Sequence, residues 1–272
     1  MLATAIILFR EVLEAALVIA ILLGSTTGVV GRGRWVAAGV ALGLAAAGVV
    51  ALFAQRLAEA FAGSGQALLN AAILLAAVAM LAWHNIWMSA HGRRMSSELR
   101  ALGAAVQLGK RSLVALLVVS FVAVMREGSE VVLFLWAIAA GGGQAAGMTL
   151  GAATGLAAGV LAGVLLYRSL LFIPVRYFFQ VTGWLILLLT AGLAAQAAGF
   201  LNQMGLLPTL GGALWDSSGL LNQGTLLGQI LHVLVGYIAR PSGMQVLFYL
   251  CTLTVIYALM RVIAARQMNP QL

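Results

Sequence analysis

The chain has 272 residues, of which 63% are hydrophobic and only 8% charged, and its mean hydropathy is +1.07. An ordinary soluble domain carries roughly 25% charged residues, so a soluble enzyme, a disordered chain and a disulfide-stapled secreted scaffold are all excluded. What remains is an all-α membrane protein that uses lipid as the solvent for most of its surface.

A transmembrane helix needs about 20 largely apolar residues. Seven runs meet that length, at 2–24, 35–55, 67–88, 113–139, 147–168, 178–201 and 244–265. The first and fourth are interrupted by charge but are flanked on both sides by strongly apolar sequence. Residues 2–9 carry no positive region, and Arg10, Glu11 and Glu14 break the first run, so the N-terminus reads as a span and not as a signal peptide. A basic loop is expected over 89–112, and a long outer loop over 205–243. Within that outer loop, residues 226–239 place Leu227, Leu231, Leu234 and Ile238 on one stripe but are too few to span, which predicts a re-entrant or interfacial helix. The single cysteine, Cys251, lies in apolar sequence and is expected to be a small buried hydrophobe.

The formal charge of +8 does not mark a nucleic-acid-binding face, because the basic residues do not form one patch. Loops on one side carry Arg32, Arg34, Arg93, Arg94, Arg100, Lys110, Arg111, Arg168, Arg176, Arg261 and Arg266, whereas the other side carries only Arg56 and Arg240. The positive-inside rule then predicts an N-terminus outside and a C-terminus in the cytoplasm. Arg10-Glu11-Val12-Leu13-Glu14 and Arg126-Glu127-Gly128-Ser129-Glu130 are 116 residues apart, and the same offset carries Gly39, Gly43 and Ala47 onto Gly155, Gly159 and Gly163. Each unit has three spans, so the second must be inverted. The expected architecture is an inverted three-plus-three repeat (about 1–88 and 113–204) with a last helix at 244–265, a plan that places a site near the midplane between repeats. The glycines at every fourth position from 147 to 163 are read as a close helix-packing stripe.

Four of the seven acidic residues sit in the two Arg-Glu-x-x-Glu segments, near the middle of their spans. Glutamates three apart share a helix face, and each arginine is placed to pair with the second glutamate four residues on. Six unpaired ions at mid-bilayer would cost on the order of 15–20 kcal/mol. Arginine pairing offsets two carboxylates and leaves two formal negative charges, which must take up protons or meet a cation. Clustered carboxylates are hard oxygen donors suited to Fe³⁺, Mg²⁺, Ca²⁺ or Mn²⁺ and unsuited to Cu⁺. Two structural Arg–Glu locks would leave the second glutamate of each segment unexplained.

Together, the seven spans, REVLEA in the first helix, REGSE in the fourth and GYIARPSGMQ at 236–245 resemble the oxidase-dependent iron permease family, with its fungal high-affinity and bacterial EfeU-type branches. The resemblance implies a multi-pass cell-membrane permease that moves iron as Fe³⁺, with Glu11, Glu14, Glu127 and Glu130 as metal ligands and Arg10 and Arg126 as supporting charges. It also implies iron-oxidising or iron-delivering proteins outside the membrane as partners. Relatives assigned to lead uptake share such motifs, so a permease for another metal is the neighbouring reading, and a non-transporting scaffold subunit is the reading from a different class. No redox or hydrolytic motif is present, so the chain is expected to be no enzyme and to hold no resident cofactor.

His84, at the inner end of the third span, reads first as a buried hydrogen-bonded histidine and second as an exit ligand. Glu59 and Asp216, the acids expected outside, are candidates for drawing cations to an entrance, and His232 in the outer loop is a candidate ligand there.

Overall fold

The computed structural model describes residues 1–60, 66–140, 144–168, 175–222 and 224–268. Eight helices account for most of these: α1 (Leu2–Ser25), α2 (Arg32–Ala60), α3 (Gln66–Gln107), α4 (Val114–Ala140), α5 (Ala145–Tyr167), α6 (Val175–Gln203), α7 (Leu226–Val235) and α8 (Gly243–Met268). No strand occurs among the described residues; Ala213 and Ser242 form one isolated antiparallel bridge. Five helices contain a segment long and apolar enough to cross a membrane: Arg32–Arg56, Ala67–Trp87, Ala145–Tyr167, Gly183–Gln203 and Gly243–Ile263. The helices α1 and α4 have the length, but each carries three charged residues near its middle.

The basic segment 89–112, expected as a loop, is helical as far as Gln107. Leu99 and Val106 explain this: both bury against Val18, Leu22, Val36 and Leu116 in an apolar cluster at the basic end of the bundle. A helix of this length runs about 60 Å, roughly twice the hydrocarbon thickness, so α3 projects beyond the membrane. Much of the expected inner loop 168–177 lies outside the described residues.

Two close helix pairs frame the molecule, α1 with α5 and α2 with α4. In the first pair Gly151 seats against Met1 and Thr4, Gly155 against Ala5 and Leu8, and Gly159 against Phe9 and Val12. In the second Gly39 seats against Leu117 and Ser120, Gly43 against Phe121 and Val124, and Gly128 against Ala47. Residue numbers rise together in both pairs, so each pair runs parallel. A Cβ on Gly43 or on Gly159 would stand 2.8 Å from the Cβ of Val124 or of Val12, so only glycine permits these approaches. By these contacts Gly39 corresponds to Gly151, one helical turn short of the partner expected from a constant offset. The cause is the connection: 25 residues separate Glu14 from Gly39, and only 21 separate Glu130 from Gly151.

Helix α6 is the most buried, through Ile186, Leu187, Leu189, Leu193 and its alanines, and packs against α3. Helix α8 lies on its outer side, where Cys251 is exposed and not buried as the apolar sequence suggested. The short α7 begins on a Thr225 cap whose hydroxyl accepts from the Gly228 amide at 3.1 Å. It ends on Gly236 in the left-handed conformation, φ 73°. Gly236 packs directly on Gly192, halfway along the apolar part of α6. A second apolar cluster, from Ile7 through Leu74, Leu81, Phe134 and Ile186, fills the other end. Ionisable side chains occupy the layer between the two clusters.

Candidate metal centre

The centre is built on helix periodicity. In α1, Glu11 and Glu14 fall between Ile7, in one apolar cluster, and Val18, in the other. In α4, Glu127 and Glu130 fall between Leu116 and Phe134 in the same way. The two helices touch, and α3 packs across both, bringing His84 to the seam. Asn85 beside it donates from Nδ2 to the Gly183 carbonyl of α6 at 3.1 Å and so fixes the rotation of this part of α3.

All four glutamates and His84 are buried: Glu11 is 0% exposed and His84 1%. Two kinds of carboxylate can be distinguished. Glu14 and Glu130, the second acids of their segments, are tied on two sides. Glu14 has Arg10 Nε at 2.9 Å from Oε1 and His84 Nε2 at 3.2 Å from Oε2. Glu130 has Arg126 Nε at 3.2 Å from Oε1 and His84 Nδ1 at 2.6 Å from Oε2. The imidazole therefore bridges the two repeated segments. The Arg10 Nε–H does not point along the line to Glu14, so proximity of charge and not a directional hydrogen bond holds that pair.

The first acids are held more loosely. Arg10 reaches Glu11 at 3.4 Å, and Arg126 reaches Glu127 only at 3.9 Å. Among the described residues no hydrogen-bond donor serves Oε2 of Glu11 or Oε2 of Glu127. Oε1 of Glu14 and Oε2 of Glu130, though close to Arg10 and His84, also lack a hydrogen bond, and a buried carboxylate oxygen without a donor is costly. Glu11, His84, Glu127 and Glu130 each offer one donor atom, all within 4.8 Å of one another. Half that span, about 2.4 Å, falls within the range over which oxygen ligands hold a metal cation. The donor set, three carboxylates and one imidazole, suits a first-row or hard divalent ion.

The two arginines differ in surroundings. The Arg10 side chain is 3% exposed, whereas that of Arg126 is 33% exposed and lies over the Trp87 ring, its guanidinium carbon 4.7 Å from the ring centre. Arg126 also approaches His84 Nδ1 at 3.3 Å.

The outer candidates lie elsewhere. Glu59 is exposed, accepts from Gln55 at 2.9 Å and sits 3.6 Å from Arg56. Asp216 pairs with Arg240 at 2.7 Å and accepts from the Ser218 amide and hydroxyl. The Arg240 guanidinium, followed by the Ser218 hydrogen bonds, holds the Asp216 carboxyl below the usual carboxylate range, and Asp216 raises Arg240 in turn. His232 Nδ1 is 2.6 Å from the Tyr237 carbonyl, closing the α7 turn. None of the three joins the central cluster. His84 does join it. Its one sequence signal was its place as an ionisable group inside an apolar run, which equally marks a structural histidine.

Residues 1–268 match the model of a protein family described as the iron permease FTR1 family. The chain belongs to that family. The ferrous iron permease EfeU of Shigella sonnei is 33% identical over 263 residues, covering 93% of this chain and 94% of that protein. EfeU of Yersinia pestis is 30% identical over 280 residues, covering 97% and 98%. No solved structure matches. The protein is an iron permease of the cell membrane, iron is its transported substrate, and the family is one of transporters and not of enzymes.

Proposed function

We propose that iron crosses through the buried cluster, with Glu11, Glu127, Glu130 and His84 as ligands and Glu14, Arg10 and Arg126 as the charges that orient them. The observation that carries this reading is the set of donorless carboxylate oxygens, Glu11 Oε2, Glu127 Oε2 and Glu130 Oε2, inside a four-donor group. In the tautomer with its proton on Nε2, His84 keeps the Nδ1 lone pair for the ion, with the Glu14 carboxylate 3.2 Å from Nε2. A ligating imidazole anchored by a carboxylate is the usual arrangement at protein metal sites.

In this proposal all seven long helices span the bilayer, with the N-terminus outside and the C-terminus inside. Two observations support an inverted repeat: α1 runs parallel to α5 as α2 does to α4, and the glycine contacts of one pair reproduce those of the other. Transport then proceeds by rocking of one unit against the other around a site at mid-depth.

The ion in transit is Fe²⁺. Four ionised glutamates against two arginines leave two formal negative charges, which one divalent ion balances, and the imidazole nitrogen softens the donor set. The EfeU relatives of Shigella sonnei and Yersinia pestis are named as ferrous iron permeases. Fe³⁺ handed over by an outside oxidising protein is the second reading, favoured by the predominance of carboxylate donors. The deciding experiment is uptake into proteoliposomes of ascorbate-reduced iron, ferric citrate and Pb²⁺ in parallel, for the wild type and the Glu→Gln variant at each of positions 11, 14, 127 and 130. Loss of iron uptake in monodisperse, folded variants supports the site. Full uptake by Glu11→Gln and Glu127→Gln would rule it out, and preference for ferric citrate would reverse the valence.

A further inference from the structure

A groove of about 480 Å³ opens sideways on the molecule between α2 and α5, with the α1–α4 seam as its floor. Its walls are apolar, with Leu44 on one side and Leu156 and Val160 on the other, and the floor is polar only at Glu11 and Glu127. Leu44 is 60% exposed and Val160 50%, so the groove faces the hydrocarbon of the bilayer. It runs along α1 from Leu8 to Leu23 and along α5 to Tyr167.

That far end is basic. The Leu23 carbonyl accepts from the Arg32 guanidinium at 2.8 Å. Tyr167 is followed by Arg168, which is exposed and shares the helix stripe of Val164. Two arginines with a tyrosine at one end of an apolar channel match a lipid: phosphate at the basic end, acyl chain along the groove. A second copy of the chain fits poorly, since an isologous contact in the membrane would set Arg32 and Arg168 of both copies against one another.

We propose that this groove binds one phospholipid of the leaflet at the basic end, its phosphate between Arg32 and Arg168 and one acyl chain against Glu11 and Glu127. The chain forms the dry lateral wall of the carboxylate cluster and keeps water from reaching it through the bilayer side. This inference does not depend on which ion the cluster carries, because lipid retention is measured without iron.

The test is native mass spectrometry of the full-length permease extracted from vesicles of phosphatidylglycerol and phosphatidylethanolamine, with size-exclusion profiles confirming folded protein. The wild type is expected to retain one phospholipid through delipidation. Arg32→Gln or Arg168→Gln lowers occupancy about fivefold, and the pair about thirtyfold. Leu156→Trp, which fills the groove without touching the basic end, displaces the lipid. A lipid-free wild type, equal retention in all variants, or a dimer mass abolished by Leu156→Trp would each overturn the proposal, the last by assigning the groove to a second copy.

Discussion

Nδ1 of His84 lies 2.6 Å from Oε2 of Glu130, and through this contact the third helix joins a centre otherwise made of two repeated helical segments. The other ring nitrogen faces Glu14, so one imidazole spans both halves of the molecule. Substitution His84→Ala is expected to weaken iron uptake by about 10- to 100-fold, the range seen when a metal-site partner is lost. His84→Gln, which keeps a donor and most of the volume, should recover part of it. Concentration-dependent uptake checks both: a structural role alone would lower the maximal rate and yield of both variants, whereas a ligand role raises the half-saturating iron concentration.

The two arginines of the repeated segments should not be equivalent in stability. Arg10 is sealed among carboxylates, and its removal leaves buried, uncompensated charge; Arg10→Ala is expected to cost about 3–5 kcal/mol. Arg126 is one-third exposed and water can replace part of its contribution, so Arg126→Ala should cost distinctly less. Thermal unfolding of the two variants in one detergent gives the comparison, and equal losses would contradict the asymmetry.

The glycine stripes give a paired test of helix approach. Gly43→Ala places a methyl group 2.8 Å from Val124 Cβ and 2.9 Å from the Phe121 carbonyl oxygen, and should destabilise by about 1–3 kcal/mol as an overpacked contact. Gly48→Ala, on the same helix but with nothing within 4 Å of the added carbon, should be neutral or stabilise by about 0.5–1 kcal/mol. Unfolding temperatures of the two variants are the measurement.

The Asp216–Arg240 pair carries a pH dependence with a definite sign. Its carboxyl titrates lower in the folded state than in the unfolded one, so the unfolded chain binds the extra proton first on acidification. The contribution of the pair is fully present above the ordinary aspartate value of about 3.9 and fades as pH falls below it toward the depressed folded value. Hydrogen exchange at 214–221 and 237–242 should therefore be equally slow at pH 7 and pH 5 and faster at pH 3, after correction for intrinsic rates. Asp216→Asn should abolish that pH step and leave iron uptake within about twofold of wild type, the pair being exposed and worth little.

Much of this molecule is written locally. Lipid as solvent follows from composition, and the helices follow from apolar runs whose lengths match the bilayer. The placement of Arg10, Glu11, Glu14, Arg126, Glu127 and Glu130 on inward faces follows from the expense of charge in hydrocarbon, which leaves a buried seam as the only tolerable location. Those features depend on a few residues of spacing, so the sequence by itself determined them. Tertiary structure alone decided the rest. His84 came to lie among Glu11, Glu127 and Glu130, because Asn85 and the packing of α3 across α1 and α4 set its rotation. The basic segment after His84 stayed helical because Leu99 and Val106 found apolar partners on three other helices. Gly39 met α4 one turn away from the position a constant offset assigned, because the second connection is four residues shorter. Each of these outcomes depends on which helix faces meet and at what height, a choice made by contacts between residues far apart in the chain.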